Sequence, residues 1–350
     1  MLGRALSGPD RLQGVDLARG LAVLGMFAAH LLVLPALVLT DPGTWIDLAN
    51  GRSSILFAVL AGVSIALVTG GARPRRTGLA TARRRIAVRA LLLWVFGIVL
   101  ILTGVPVFVI LPAYAVLFLI ALPLVHLRAR ALWIIAGAIA VIMPWVQPVL
   151  SALPLWDGEI GGTIALAVGW HYPFTLWAAF LVAGLAAGRS DLRRPDTQWS
   201  LLLAGAALAL LAAAVDATFA APADPYLAQV WASGPHSGGL LEMIGSGGFA
   251  LATIAACQLL CRTPVRWVAL PLRAVGSMPL TAYVGQLVAW AVIATAVLGD
   301  PGDLNGIRAL DPFWPFTIVT LIACTAWALL WGRGPLERFT AWTCRTLAPR

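Results

Sequence analysis

Between Gly20 and Leu39 the chain carries no acidic or basic side chain apart from His30, and this run follows directly on the charged segment 10–19. At roughly 1.5 Å rise per residue, about 20 helical residues cross the roughly 30 Å hydrocarbon layer of a bilayer. Similar runs recur along the whole chain. They predict ten helical spans, at 14–35, 52–70, 86–104, 107–125, 130–149, 171–188, 199–219, 239–260, 277–298 and 313–332. The division between the third and fourth rests on Gly104 and Pro106, and 159–169 and 263–275 read as re-entrant or interfacial pieces. The expected fold is all-α: a polytopic integral membrane protein, one transmembrane domain over 1–350, with about ten transmembrane helices.

Composition supports lipid as the solvent. Of 350 residues, 60% are hydrophobic and 11% charged, against about a quarter charged in a soluble domain. A bilayer removes the need for a polar exterior. The net charge of +9 therefore reads as topology and not as a nucleic-acid surface. The connection after the second span holds Arg73, Arg75, Arg76, Arg83, Arg84, Arg85 and Arg89 without an acid, so the positive-inside rule makes it cytoplasmic. Alternate connections agree, with Arg128 and Arg130, then Arg189, Arg193 and Arg194, then Arg262, Arg266 and Arg273, then the arginine-bearing tail ending at Arg350. The opposite loops hold Asp41, Asp47, Asp157, Glu159, Asp224, Asp300, Asp303 and Asp311, with Arg52 and Arg308. Both termini are thus expected inside, in a multi-pass cell-membrane protein. All 24 basic residues are arginines, which excludes lysine Schiff-base chemistry. The N-terminus does not read as a cleavable signal. Cys257, Cys261, Cys324 and Cys344 suggest apolar fillers, with no disulfide framework.

This topology gathers polar groups at one depth on the outer side. His30 lies in the outer third of the first span, Arg52 opens the second, His171 and Tyr172 open the sixth, and His236 precedes the eighth with Glu242 just inside it. Ionisable groups near the membrane core are costly unless paired or facing a cavity. His30, Arg52, His171, His236 and Glu242 are therefore expected to line one outward-facing cavity. Imidazole accepts a proton from a hydroxyl or amine near neutral pH, and a carboxylate orients it. His30, His236 and His171 are the base candidates and Glu242 the orienting acid. A hydrogen-bonded helix-end role is the plainer alternative for each histidine. The histidines stand singly, without paired-ligand spacing, so no metal is expected.

At the inner end of the first span, Asp16 and Arg19 share a helical face and either neutralise one another or present Arg19 to an anion. Arg83, Arg84 and Arg85 either orient the chain or meet phosphates. Tyr283 and Gln286 share a face of the ninth span and, with Arg52, are substrate-binding candidates. The segment Gly62 through Ala66 is a small-xxx-small pattern suited to close helix packing.

Several segments resemble bacterial membrane proteins with a C-terminal DUF418 domain and, more distantly, transmembrane acyltransferases like heparan-alpha-glucosaminide N-acetyltransferase. Arg11 through Gly20 is similar to their Asp-x-x-Arg-Gly opening, and Gly51 through Gly62 to their second-helix signature. Trp170-His171-Tyr172-Pro173, Gly184 through Arg189, Pro235-His236-Ser237-Gly238 with Glu242, Gly276 through Tyr283 and Gly334-Pro335-Leu336-Glu337 complete the resemblance. It implies an acyltransferase-like part over 11–190 and a DUF418-like part over 199–350. It also implies acetyl-CoA or another acyl-CoA as donor on the cytoplasmic side, with Arg19, Arg83, Arg84 and Arg85 as contacts. The acceptor beyond the membrane would be a hydroxyl or amine of a glycan, lipid or small molecule. The animal enzyme's key histidine follows its first helix, where this chain has Asp41 and Asp47, so His30 would have to act in its place. The competing function is a proton-coupled transporter of a small or amphipathic solute, for which the same groups would serve. Membrane lipids are expected partners, nucleic acid is not, and a homodimer is admissible.

Overall fold

The structure is a computed structural model that describes Leu6, Gly8 and residues 11–38, 40–74 and 77–349. Arg75, Arg76 and Arg350 of the charge pattern lie outside the described residues. Among the described residues every regular element is helical and none is a strand.

Among the described residues six helices are long and apolar enough to cross a membrane: Gln13–Leu31, Ala129–Ser151, Pro195–Thr218, Leu240–Leu260, Pro279–Leu298 and Phe313–Leu330. A seventh results if Pro42–Ala49 and Arg52–Val68, bent by 45°, form one span. Each of the ten expected runs lies on a helix, but the rest fall short for identifiable reasons. Leu79–Ile101 starts right behind Gly78, whose φ is +69°, and takes Arg83, Arg84, Arg85 and Arg89 into its own turns. Leu111–Ala121 has 11 residues and Phe174–Arg189 has 16, which is about 17 and 24 Å of helix. Gly104, at φ +76°, lies between Leu79–Ile101 and Leu111–Ala121. The two segments expected to be re-entrant or interfacial form the short helices Gly158–Val168, Val265–Val268 and Leu270–Ser277.

The chain forms two compact units. The first is built from the chain through Phe57, Val99–Val107 and Ala256–Trp342, the second from Ala58–Ile98, Phe108–Ala255 and the chain from Thr343 on.

In the first unit, glycines bring backbones into contact. A Cβ on Gly20 would collide with the Leu272 carbonyl, and one on Gly276 with the Asp16 carbonyl, so Gln13–Leu31 and Leu270–Ser277 touch directly. Beside this crossing Asp16 is buried and ion-paired to Arg11 (2.5 Å) and Arg19 (3.2 Å). Arg273, also buried, donates to the carbonyls of Arg266 and Leu6. Arg308 donates through Nε and Nη2 to the His30 carbonyl (3.2 and 3.1 Å), at the C-terminal end of Gln13–Leu31. A cation there matches the negative end of the helix dipole.

The second unit uses the same device. A Cβ on Gly62 would strike the Leu181 carbonyl, one on Gly184 the Val59 carbonyl, and one on Gly188 the Ala66 side chain. Arg52–Val68 and Phe174–Arg189 therefore cross at backbone distance, as the small residues at Gly62 and Ala66 allow. Gly205 and Gly248 do likewise for Pro195–Thr218 and Leu240–Leu260. Leu203, Leu210, Val319 and Ile322 are 65–71% exposed, which water would penalise and hydrocarbon does not. The four cysteines are buried and free.

Candidate functional site

At the N-terminal end of Phe174–Arg189, the second unit assembles an aromatic, histidine and carboxylate cluster. Glu242 stands in the first turn of Leu240–Leu260 and is buried. It accepts from the backbone N–H of His236 (2.6 Å) and of Gly238 (2.7 Å) and from the Ser237 hydroxyl (3.3 Å). His236 and Gly238 both have left-handed backbones, φ +60° and +69°. That conformation is uncommon for a residue with a side chain and persists where the surroundings impose it. Here the carboxylate gathers both N–H groups and so fixes the loop that carries the imidazole.

The His236 ring lies nearly parallel to Trp177 (centroids 6.3 Å, 7°) and edge-on to Tyr172 (5.4 Å, 80°). The residue is exposed, yet the atoms packed around its imidazole desolvate it enough to hold its pKa below the usual imidazole value. Tyr172 anchors the group by donating to the Phe108 carbonyl at 3.0 Å. His171 stacks on the Phe108 ring (3.5 Å, 25°) and is likewise shifted down by desolvation. Two imidazoles thus favour the neutral form, which can accept a proton.

At the other end of the same helix lies a cavity of about 770 Å³. Arg73, Arg83, His126, Arg128, Arg130 and Arg189 line it, with Ala72, Pro74, Leu79 and Ala129. Leu79 and Ala129 are the first residues of two 23-residue helices. Arg128, at the N-cap of the second, makes no side-chain cap. Two helix N-termini, with their unsatisfied N–H groups and positive dipole ends, therefore meet the arginines at one opening. Arg83 is oriented by its Nε, which donates to the Leu122 carbonyl (2.8 Å), while Arg73, Arg128 and Arg130 are exposed.

Arg189 serves the wall. Its guanidinium donates to the carbonyls of Ala66 (2.9 Å), Gly71 (2.6 Å) and Val125 (2.7 Å) and to the Thr69 hydroxyl (2.7 Å). It binds the C-terminal end of Arg52–Val68 to the 121–125 turn.

The remaining sequence candidates fall as follows. His30 and Arg52 belong to the first unit, while His171, His236 and Glu242 belong to the second. Arg19 is also in the first unit, on Asp16. Arg84 is exposed, and Arg85 donates to the Ala348 carbonyl at 3.0 Å. Tyr283 and Gln286 are buried on one face of Pro279–Leu298. Asp41 caps Gly43, and Asp47 accepts from Asn50. In the sequence Arg73, Arg128 and Arg130 read as orientation signals alone; their clustering depends on which helix ends meet. Among the described residues no group of three or more His, Cys, Asp or Glu could hold a metal ion.

Apolar spans, glycine-mediated helix crossings and ionisable clusters at helix ends define a polytopic α-helical membrane protein. The family model described as heparan-alpha-glucosaminide N-acetyltransferase, catalytic, matches residues 11–217, more than half of the chain, and the chain belongs to that family. A second model, described as protein of unknown function (DUF418), matches residues 187–347. No curated protein matches the chain.

Proposed function

We propose that the protein is a cell-membrane acyltransferase with ten helical passes and both termini inside. It moves an acyl group, acetyl in the simplest instance, from a cytoplasmic coenzyme A thioester to a hydroxyl or amine of an envelope glycan, lipid or small molecule. The observation that carries this reading is the arginine-lined cavity at one end of Phe174–Arg189 with His236 at the other, in a chain of this family. Arg73, Arg83, Arg128 and Arg130 receive the donor phosphates, which Arg guanidinium and helix N-termini both favour. Arg84 and Arg85 follow on the turn that carries Arg83.

About 24 Å of helix separates the two ends, and the long pantetheine arm has to carry the thioester along most of it. His236 takes the acceptor's proton as the acceptor oxygen or nitrogen bonds to the acyl carbon. The carbon–sulfur bond then breaks, and coenzyme A leaves as its thiolate. Glu242 is a positioning residue, acting through the His236 backbone. His171 and His30 are the alternative bases.

Isothermal titration of the purified protein with acetyl-CoA, followed by assay of thioester hydrolysis and transfer, tests the reading. Saturable binding and acceptor-dependent release of coenzyme A are expected. No binding and no release would overturn it, and proton-dependent solute flux in proteoliposomes free of coenzyme A compounds would put transport in its place.

A further inference from the structure

Helix Pro279–Leu298 turns one face into the first unit, and that face carries Tyr283, Gln286 and Trp290, which are 2%, 3% and 0% exposed. Spacings of three and four put the three side chains in a row along the helix. Both polar atoms of the Gln286 carboxamide and the Trp290 indole N–H are buried without a hydrogen-bond partner. The same holds for the hydroxyl of Thr317, 5% exposed, on Phe313–Leu330, a helix packed against Pro279–Leu298 in the same unit.

This is unusual chemistry for a membrane interior. Buried polar atoms are as a rule paired, and lipid supplies no partners. A helical threonine or serine ordinarily donates back to a carbonyl one turn earlier. Ser53, Ser64 and Thr69 do so here, whereas Thr317, like Thr325 and Thr340, does not. Leucine in place of Gln286 and phenylalanine in place of Trp290 would fill similar space with no polar atom to satisfy. Keeping Gln286, Trp290 and Thr317 unsatisfied on two adjoining helices, with Thr325 also unpartnered further along the second, points to a partner outside the chain.

We infer that Gln286, Trp290 and Thr317 form a hydrogen-bonding subsite for a neutral, hydroxyl-bearing ligand within the first unit. The carboxamide offers an acceptor oxygen and two donor hydrogens, the indole a donor, and the threonine hydroxyl both. A hydroxyl group matches that set, giving one hydrogen and accepting others. The buried side chains of this face are Ala282, Tyr283, Gln286, Leu287, Trp290 and Ala294, with no carboxylate or guanidinium among them. An ammonium or a phosphate would enter with no counter-charge, which is far costlier than a neutral polar group. The subsite therefore selects a hydroxyl over an amine.

Thermal unfolding of the full chain in lipid nanodiscs tests this, with D-glucose as the neutral probe and glucosamine and glucuronate as charged ones. Glucose is expected to raise the unfolding midpoint saturably, the charged sugars much less. Gln286→Leu and Trp290→Phe are expected to hold or raise the ligand-free midpoint while weakening the glucose response about tenfold or more. No saturable glucose response, an equal response in both variants, or a stronger response to a charged sugar would overturn the inference. A lowered ligand-free midpoint in both variants would also overturn it, because the native side chains would then be satisfied within the chain. Acetyl-CoA titration of the same samples separates the two claims. Donor binding without a glucose response defeats this subsite alone, and a glucose response without donor binding defeats the acyl-CoA reading alone.

Discussion

Glu337 closes the first turn of the helix that begins 58 positions before it at Pro279, and Thr281 is its principal partner. The carboxylate accepts from the Thr281 N–H (3.2 Å), the Thr281 hydroxyl (2.5 Å) and the Leu280 N–H (2.8 Å). Pro279 has no N–H to satisfy, so the carboxylate reaches the next two donors of the turn. Gly334 makes room, since a Cβ there would stand 2.6 Å from Met278 Cβ and 2.8 Å from Thr281 Oγ1. The sequence motifs at 276–283 and 334–337 are thus two halves of one cap.

Glu337→Ala removes a charged acceptor from three donors. We expect a loss of about 1–3 kcal/mol of stability, read as a lower unfolding midpoint in detergent, and a similar change in Gly334→Val. An unchanged midpoint in Glu337→Ala would mean that water serves those donors equally well.

Arg189→Lys keeps the charge but cannot reproduce a planar fork that serves three carbonyls and a hydroxyl. The expected destabilisation is about 2–4 kcal/mol, with Arg189→Ala no better. Full rescue by lysine, measured by thermal unfolding, would reduce the residue to a point charge.

Gly184→Leu drives a side chain into the Val59 carbonyl. Overpacking of this kind typically costs about 1–3 kcal/mol. We expect the variant to insert but unfold at lower temperature, whereas Gly285→Leu, where a Cβ meets nothing, should match the wild type.

His236 is held below the usual imidazole pKa of about 6.5 by desolvation, so its neutral form persists to lower pH than that of a solvated imidazole. Turnover that uses it as base should be flat above that value and fall only at lower pH, as the folded-state pKa is approached. Stability follows the same sign. Below about pH 6.5 the unfolded chain binds a proton that the folded state resists, so this contribution is complete above that pH and is lost as the pH falls toward the folded pKa. His236→Gln should lower turnover by about 10²–10⁴-fold and remove that acid limb from the stability profile. Glu242→Gln should lower turnover through the loop, with donor affinity unchanged. A pH-rate profile and a donor titration of each variant check this.

Arg83→Ala, Arg128→Ala and Arg130→Ala should each weaken acetyl-CoA binding, in a salt-dependent way, with little change in midpoint for the two exposed residues. Arg19→Ala separates two roles. Lower stability at unchanged donor affinity makes Arg19 the partner of Asp16, and weakened affinity at unchanged midpoint makes it a donor contact. Calorimetric titration beside thermal unfolding distinguishes them.

The hydrophobic pattern alone located a helix at every expected run, because a sequence that must satisfy its backbone in lipid has little choice but helix over each apolar stretch. Charge patterning along the chain marked Arg83, Arg128 and Arg130 as belonging together on one side, and the polar punctuation at His171, His236 and Glu242 marked the helix ends where ionisable groups gather. Which side chain meets which backbone was decided by the tertiary structure. Glu242 grips the backbone of His236 because that residue is left-handed, and no residue type announces such a φ in advance. Arg189 is a wall and not a ligand because four acceptors from two turns converge on it. Arg83 lies in the basic cavity while Arg85 binds the Ala348 carbonyl, although the two are neighbours on one helix, because successive residues point in different directions and only packing decides what each one meets. Composition and periodicity are local and survive in one dimension. Partnership depends on which helix faces close together, and in this protein glycines at 20, 62, 184 and 276 set that closeness by letting backbones touch where any side chain would hold them apart.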